Sequence, residues 1–383
     1  MRRDAAPSAS GTKAVQIRKI LLITDTWKET NGLTTTLRHT LAAGRRRGYE
    51  FVVLHPALFP CFRNPFYRQY WHALPNPWRM QEILYAAQPD AVHMATEGPL
   101  GLAGRWVCVQ HGWRFTTSFH TRWDEHGKYL VALPPALVWR WLRWFHRRAS
   151  RVLAPTPSVV QLLRRQGFVQ PIELWQRGID MELFHPRPKT HHAVRRPILL
   201  YVGRISREKN LPDFLDLPSD GTKYVVGDGP LLTSLRRTYQ RQVEAGRLVF
   251  FGERHGTALA ELYAEADVFV FPSVTDTFGN VILEALASGV PVAAYPVSGP
   301  IDILTGTGVG ALHHDLATAV RQALAHGQAE ACLTLASHYS WETATEQFLR
   351  ALVPLSASPH NHSGTTGRLS RGWTLRPGRL CPA

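Results

Sequence analysis

Short apolar runs rich in β-branched residues alternate along the chain with longer stretches whose apolar positions recur every three to four residues. The first pattern predicts strands and the second predicts helices, so the order is that of successive βα units. In the first half the expected strands are KILLIT (19–24), FVVLH (51–55), AVHM (91–94), FTTSF (115–119), RVLAP (151–155) and IELW (172–175), with helices near 33–47, 78–87, 99–111, 134–148 and 157–167. The segment FHPRPKTHHAVRRP (184–197), with three prolines and three histidines, breaks the pattern and reads as a linker. The alternation restarts with strands ILLYVG (198–203), KYVVG (223–227), LVFFG (248–252), VFVFP (268–272) and VPVAAY (290–295), and helices near 230–243, 257–265, 278–288 and 315–326. Near-continuous apolar strands need cover on both faces, which predicts a parallel sheet in each half. The expected fold class is therefore α/β: two doubly wound parallel-sheet domains, 19–185 and 198–335, joined by 186–197 and facing a cleft. In such folds ligands sit at the carboxyl ends of strands and anions at helix N-termini.

A length of 383 residues suits two such domains, and 44% hydrophobic with 19% charged residues is a globular balance. The net charge of +15 suggests an anionic partner, whether nucleic acid, a phosphorylated substrate or a membrane surface. Its distribution narrows this. Residues 1–19 contribute +4, 134–151 contribute +5 and 356–383 contribute +4, which leaves +2 for everything else. The ends 1–18 and 356–383 read as disordered basic extensions. No run approaches the ~18 apolar residues of a membrane span, and the start lacks the apolar core of a signal peptide. Cys61, Cys108, Cys332 and Cys381 lie far apart, without the spacing of a disulfide scaffold or zinc site, and fit a reducing, cytoplasmic setting.

Three loops carry candidate chemistry. In TDTWKETNGLTTTL (24–37), Gly32 lets a ligand approach the backbone and Thr34 is expected to cap the next helix; an ordinary βα turn is the alternative. In YVGRISREKNL (201–211), Arg204 and Lys209 stand at a strand's carboxyl end. A guanidinium clasp and an ammonium point charge suit a diphosphate there, while a solvated basic loop would look the same. In PSVTDTFGNVILEALASGVPVAAY (272–295), Asp276 lies in a loop and Glu284 inside an apolar helix. A carboxylate so placed needs a partner, either two ribose hydroxyls or a neighbouring arginine. Asp276 with the amides of Phe278 and Gly279 could hold a sugar. His120, which closes a strand in SFHTRWDEH, is either structural or a hydrogen-bond donor. The GDGP turn (227–230) lacks the rest of a dinucleotide fingerprint, and neither a P-loop nor a G-x-S-x-G elbow occurs. Without any Asp-x-Asp pair no metal is expected, so fixed cations and helix dipoles must stabilise a leaving diphosphate.

Taken in order from about 19 to 353, NGLTTTL, SFHTR, WQRGIDMELFHP, LLYVGRISREKNL, VVGDGP and DTFGNVILEALASGVPVAAY resemble the family 4 retaining glycosyltransferases of GT-B fold. The resemblance implies that Glu284 binds the donor ribose, and that Asp276 holds the transferred sugar with the amides of Phe278 and Gly279. It further implies that Arg204 and Lys209 neutralise the diphosphate, that Gly32 lets it approach the first helix, and that His120 and Asn280 contact the donor. The family's usual first acid is Glu, one methylene longer than Asp276. The implied reaction is metal-free and cofactor-free, retains anomeric configuration, and has the leaving phosphate accept the acceptor's proton on the same face. A terminal helix at 336–355 would return to the first domain. LRWFH, GTKYVVGDGP and AYPVSGPIDIL bring the chain nearest to bacterial mannosyl- and related lipid glycosyltransferases. GDP-mannose, ahead of a UDP-sugar, is then the expected donor, and a lipid or glycan the expected acceptor.

The segment 134–148 has two open readings. Leu137, Val138, Trp141, Leu142, Trp144 and Phe145 share a broad helical face, and Arg140, Arg143, Arg147 and Arg151 step along another. Such a helix could lie on an anionic bilayer, giving peripheral attachment at the inner face of the membrane, or pack its aromatics on the sheet. Because the charge is local, nucleic acid is not an expected partner. A polyanion-binding protein and a GT-B sugar-nucleotide epimerase are the competing functions.

Overall fold

The computed structural model describes residues 16–27, 31–63, 71–124 and 134–355. The tail 356–383 and most of the N-terminal extension lie outside them. The first half runs β1 (Lys19–Ile23), α1 (Gly32–Arg46), β2 (Glu50–Leu54), β3 (Cys61–Arg63), β4 (Trp71–Ala73), α2 (Pro77–Ala87), β5 (Ala91–Met94), α3 (Pro99–Gln110), β6 (Thr116–Ser118), α4 (Pro135–His146), β7 (Arg151–Ala154), α5 (Pro157–Arg165) and β8 (Ile172–Leu174). Its main sheet is parallel throughout, in the order β2-β1-β5-β6-β7-β8. The second half runs β9 (Ile198–Val202), α6 (Leu211–Leu215), β10 (Thr222–Val226), α7 (Leu232–Thr238), α8 (Gln240–Glu244), β11 (Leu248–Gly252), α9 (Gly256–Glu265), β12 (Val268–Phe271), α10 (Asn280–Ala287), β13 (Val292–Ala294), α11 (Pro300–Leu304), β14 (Gly310–Leu312) and α12 (Leu316–His326). Its sheet is likewise parallel, in the order β11-β10-β9-β12-β13-β14. The helices α13 (Ala329–Ser337) and α14 (Trp341–Ala351) close the described chain.

Both sheets are covered on two faces, as the uninterrupted strands require. On β1, Leu21 and Ile23 pack with Met94, Leu142 and Phe145, while Ile20 and Leu22 pack with Leu37, Leu41 and Phe348 on the other side. Phe348 comes from α14, which crosses back to the first sheet and seats its ring 4.8 Å from Trp175 and 5.0 Å from His93. Strand order reverses direction between β1 and β5 and again between β9 and β12. The loops that leave β1 and β9 therefore open at the two switch points, where a crevice forms between diverging connections.

Several elements depart from the expected pattern. The helix expected at 230–243 is broken at Tyr239 into α7 and α8. The β3–β4 hairpin and the elements β14, α6, α11 and α13 were not expected, and most are too short to show a period. Thr34 does not cap α1. Asn31 does, in extended backbone, by accepting from the Thr34 amide at 2.9 Å. On α4 the face turned to the core is Val138, Trp139, Leu142 and Phe145, so Trp139 takes the place expected of Trp144. Leu137 and Trp144 stay outside, at 47% and 46% exposure. Among the described residues no helix is long and apolar enough to cross a membrane.

Candidate active site

The loops after β1, β6, β9 and β12 converge where the two sheets face each other. Gly32 is the first residue of α1 and Asn280 the first of α10, and they meet across the cleft: the Asn280 amide donates to the Gly32 carbonyl at 3.3 Å. A Cβ on Gly32 would stand 3.3 Å from that amide nitrogen, so any side chain would crowd the gap. Two helix N-termini, each with a positive dipole end, thus border one space. Gly279, just before α10, sits in the left-handed region (φ +87°), which lets the chain turn sharply from the Asp276 loop into the helix.

Lys209 ends a 3₁₀ turn beyond β9 and reaches Asp276, Nζ to Oδ2 at 2.8 Å. The other oxygen, Oδ1, accepts from the amides of Thr277 (2.8 Å) and Phe278 (3.2 Å). Burial pushes this carboxyl up, but the ammonium and the two amides outweigh it and hold Asp276 below its ordinary value. The Phe278 amide was expected to face a sugar; instead it is taken by Asp276. A carboxylate on the shorter stem folds back onto the N–H groups of its own loop. Arg204 stands exposed one residue past Gly203, in the same β9 loop as Lys209, with its carbonyl held by the Tyr201 hydroxyl at 2.7 Å.

Glu284 lies on α10 beyond Asn280. Its partner is not an arginine: Oε2 accepts from the Tyr263 hydroxyl at 2.8 Å. Burial pushes its carboxyl up to about 7, against the smaller opposing effect of that hydrogen bond. His120 follows β6, and its carbonyl accepts from the Thr277 hydroxyl at 2.9 Å, which ties the first domain to the Asp276 loop of the second. A further tie links Ser158, at the start of α5, to Asp302 on α11 through its amide (2.9 Å) and hydroxyl. Burial, then Arg177, pushes the His120 imidazole far below its ordinary value.

Two residues of this site were missed in the sequence. Tyr263 is fully buried on α9, and its apolar helix gives no sign that the hydroxyl ends on Glu284. Arg177, 4% exposed, puts Nη2 2.8 Å from His120 Nδ1. Its only signal was a charged residue between Trp175 and Gly178, directly after a strand. The structure therefore gathers His120, Arg177, Lys209, Asp276, Phe278 and Gly279 around one point, with the Gly32–Asn280 gap and Glu284 following along α10. Among the described residues no group of three or more His, Cys, Asp or Glu side chains could hold a metal ion.

Residues 30–183 match the family model of Glycosyltransferase Family 4, and residues 196–326 match that of Glycosyl transferases group 1. A GDP-mannose-dependent alpha-mannosyltransferase of Mycobacterium tuberculosis is 32% identical over 76% of this chain and 84% of its own length. The chain belongs to the family 4 glycosyltransferases. An alpha-monoglucosyldiacylglycerol synthase of Streptococcus pneumoniae is 30% identical over 63% of the chain and 60% of its own. For this glycosyltransferase the fold is also that of solved structures. HepE of Anabaena, in complex with UDP and glucose, superimposes with a TM-score of 0.66 over 87% of this chain and 98% of its own, at 16% identity. Sucrose-phosphate synthase of Thermosynechococcus elongatus does so with the same TM-score and coverage, at 19% identity. At such identities the likeness shows the GT-B fold alone. The family assignment makes the enzyme a nucleotide-sugar-dependent hexosyltransferase.

Proposed function

We propose that this enzyme transfers mannose from GDP-mannose to a lipid or glycan acceptor, with retention of configuration and without a metal ion. The observation that carries the reading is the Lys209–Asp276 pair set beside the opposed N-termini of α1 and α10. A diphosphate in that gap meets the dipole ends of both helices, the Lys209 ammonium and the Arg204 guanidinium, which together can take the charge released as the glycosidic bond breaks. Asp276 and His120, held to each other's loops through Thr277, flank the position of the transferred sugar, while Glu284 faces the ribose. The leaving phosphate, the strongest base then present near the anomeric carbon, takes the acceptor's proton on the same face. Mannose is favoured because relatives near 30% identity are named GDP-mannose-dependent mannosyltransferases.

The test is purified enzyme incubated with a panel of nucleotide sugars and a lipid extract, scored for released nucleotide and new glycolipid. GDP-mannose should give the highest kcat/KM. Turnover with a UDP-sugar only would move the donor, and product formed without any acceptor would point to an epimerase.

The outer face of α4 supports a lipid acceptor. Trp144 lies over the Arg105 guanidinium at 4.0 Å, and Trp78 and Trp106, 68% and 36% exposed, meet edge to face at 5.9 Å. Arg140, Arg147 and Arg148 are exposed on the same helix and its end. Tryptophans at headgroup depth with arginines around them suit peripheral binding at the inner, cytoplasmic face of an anionic membrane. The enzyme should sediment with anionic vesicles at low salt and be released as salt rises. Equal recovery in the supernatant with and without vesicles would sink that assignment.

A further inference from the structure

Arg177 is a buried cation that the transfer scheme above does not use. We propose that Arg177 is a positioning residue: it locks His120 as the neutral Nε2–H tautomer, so that Nε2 offers a single hydrogen-bond donor to a hydroxyl oxygen of the transferred sugar. This rests on the reading of His120 as a donor-sugar contact.

A guanidinium has five N–H donors and no acceptor. Its contact with His120 Nδ1, at 2.8 Å, is favourable only if Nδ1 presents a lone pair. The Nδ1–H tautomer would set hydrogen against hydrogen, and an imidazolium would add a second positive charge at the same distance. The ring proton of the neutral imidazole must then be on Nε2. That atom is buried and has no hydrogen-bond partner among the described residues. A buried donor left open is costly unless a ligand completes it.

Arg177 is itself held too firmly to swing away. Nη1 donates to the Trp175 carbonyl at 2.7 Å, and the guanidinium lies 5.3 Å from the Trp175 ring and 5.8 Å from the Phe278 ring. Trp175 stacks edge-on against His120 (5.3 Å) and is backed by Phe348 of α14. The other titratable groups near the imidazole, His93 and His146, disfavour its charge as Arg177 does, and Asp276 is the acid that stabilises Arg177. Burial and the Arg177 guanidinium are thus the main effects that oppose an imidazolium at this position. A donor fixed in one tautomer needs no reorganisation when the sugar arrives, which is the condition for electrostatic preorganisation.

The test is NMR of enzyme labelled with ¹⁵N-histidine, with the His120 signals assigned by their loss in His120→Gln. The wild type should show a bare Nδ1 and a protonated Nε2, unchanged between about pH 5 and 8. In Arg177→Met the His120 signals should show mixed tautomers or begin to titrate. In that variant kcat should fall about tenfold, with the donor KM nearly unchanged. Arg177→Lys, which still donates to Nδ1, should restore the tautomer and most of kcat. A protonated Nδ1 in the wild type, or an unchanged tautomer in Arg177→Met, overturns the proposal. If Arg177→Met does not fold, the wild-type spectrum and Arg177→Lys decide it. Failure of the transferase reading would appear as no turnover in the wild type, with the tautomer still legible.

Discussion

Replacing Lys209 by Met should cut kcat by about 10²–10³-fold, the cost of removing one preorganised group that stabilises charge developing in the transition state. The ammonium stands 2.8 Å from Asp276, beside the gap between α1 and α10 to which the diphosphate is assigned. Met keeps the length of the apolar stem and deletes the charge, which also stands 5.9 Å from the centre of the Phe271 ring. The fold should survive. With side-chain exposures of 27% and 17% the pair is partly buried, so losing it should cost more than the ~0–1 kcal/mol of an exposed ion pair. Asp276 still keeps the amides of Thr277 and Phe278. The measurement is steady-state kinetics beside thermal unfolding. A wild-type kcat in a folded Lys209→Met variant would refute the diphosphate assignment. Unfolding without Lys209 would show instead that the pair is structural.

How much of this was legible in the sequence depends on how local each feature is. The strands of both sheets other than β14 were legible because β-branched runs such as ILLYV and VFVF are buried on both faces and carry their own signal. Lys209, Asp276 and Glu284 could be singled out because their chemistry conflicts with their surroundings: cations at a strand end, and a carboxylate inside an apolar helix. Arg177 and Tyr263 could not. Each acts on a residue from another element, 57 positions away for Arg177 and His120 and 21 for Tyr263 and Glu284, and neither conflicts with its own segment. The same limit applies to α4. Helical period placed an apolar stripe there, but only the neighbouring sheet decides whether Trp139 or Trp144 turns inward. Asp276 shows a finer version of it: its residue type was informative, but its choice of the Phe278 amide over an open one depends on backbone geometry that spacing does not encode.

Donor affinity should weaken as pH falls through about 7, and this dependence should be carried by Glu284. Burial pushes its carboxyl up to about 7, so half of the unliganded enzyme is protonated at that pH. Only the carboxylate can accept from two ribose hydroxyls at once, so donor binding selects the ionised form. The donor KM should then rise up to tenfold for each pH unit below about 7 and level off above it, with kcat nearly flat, because a ribose contact is equally strong in the ground and transition states. Glu284→Gln keeps the shape and the Tyr263 contact but loses the charge. Its kcat/KM should fall about 10²-fold, the worth of two charge-assisted hydrogen bonds, and the pH dependence of KM should vanish. Stability runs the other way. Because the folded state holds this proton more tightly than the unfolded chain does, the contribution of Glu284 falls as pH rises from about 4.5 to about 7, and bound nucleotide should offset the loss. Thermal unfolding of both proteins at several pH values, with and without nucleotide, separates the two effects: the wild type should lose a pH-dependent increment that Glu284→Gln lacks. A donor KM that stays flat from pH 6 to 8 in the wild type would remove Glu284 from the ribose site. Among the described residues Tyr263 supplies the side-chain partner of Glu284 at one oxygen, so under this reading the ribose hydroxyls would complete the carboxylate's hydrogen bonding when the donor binds.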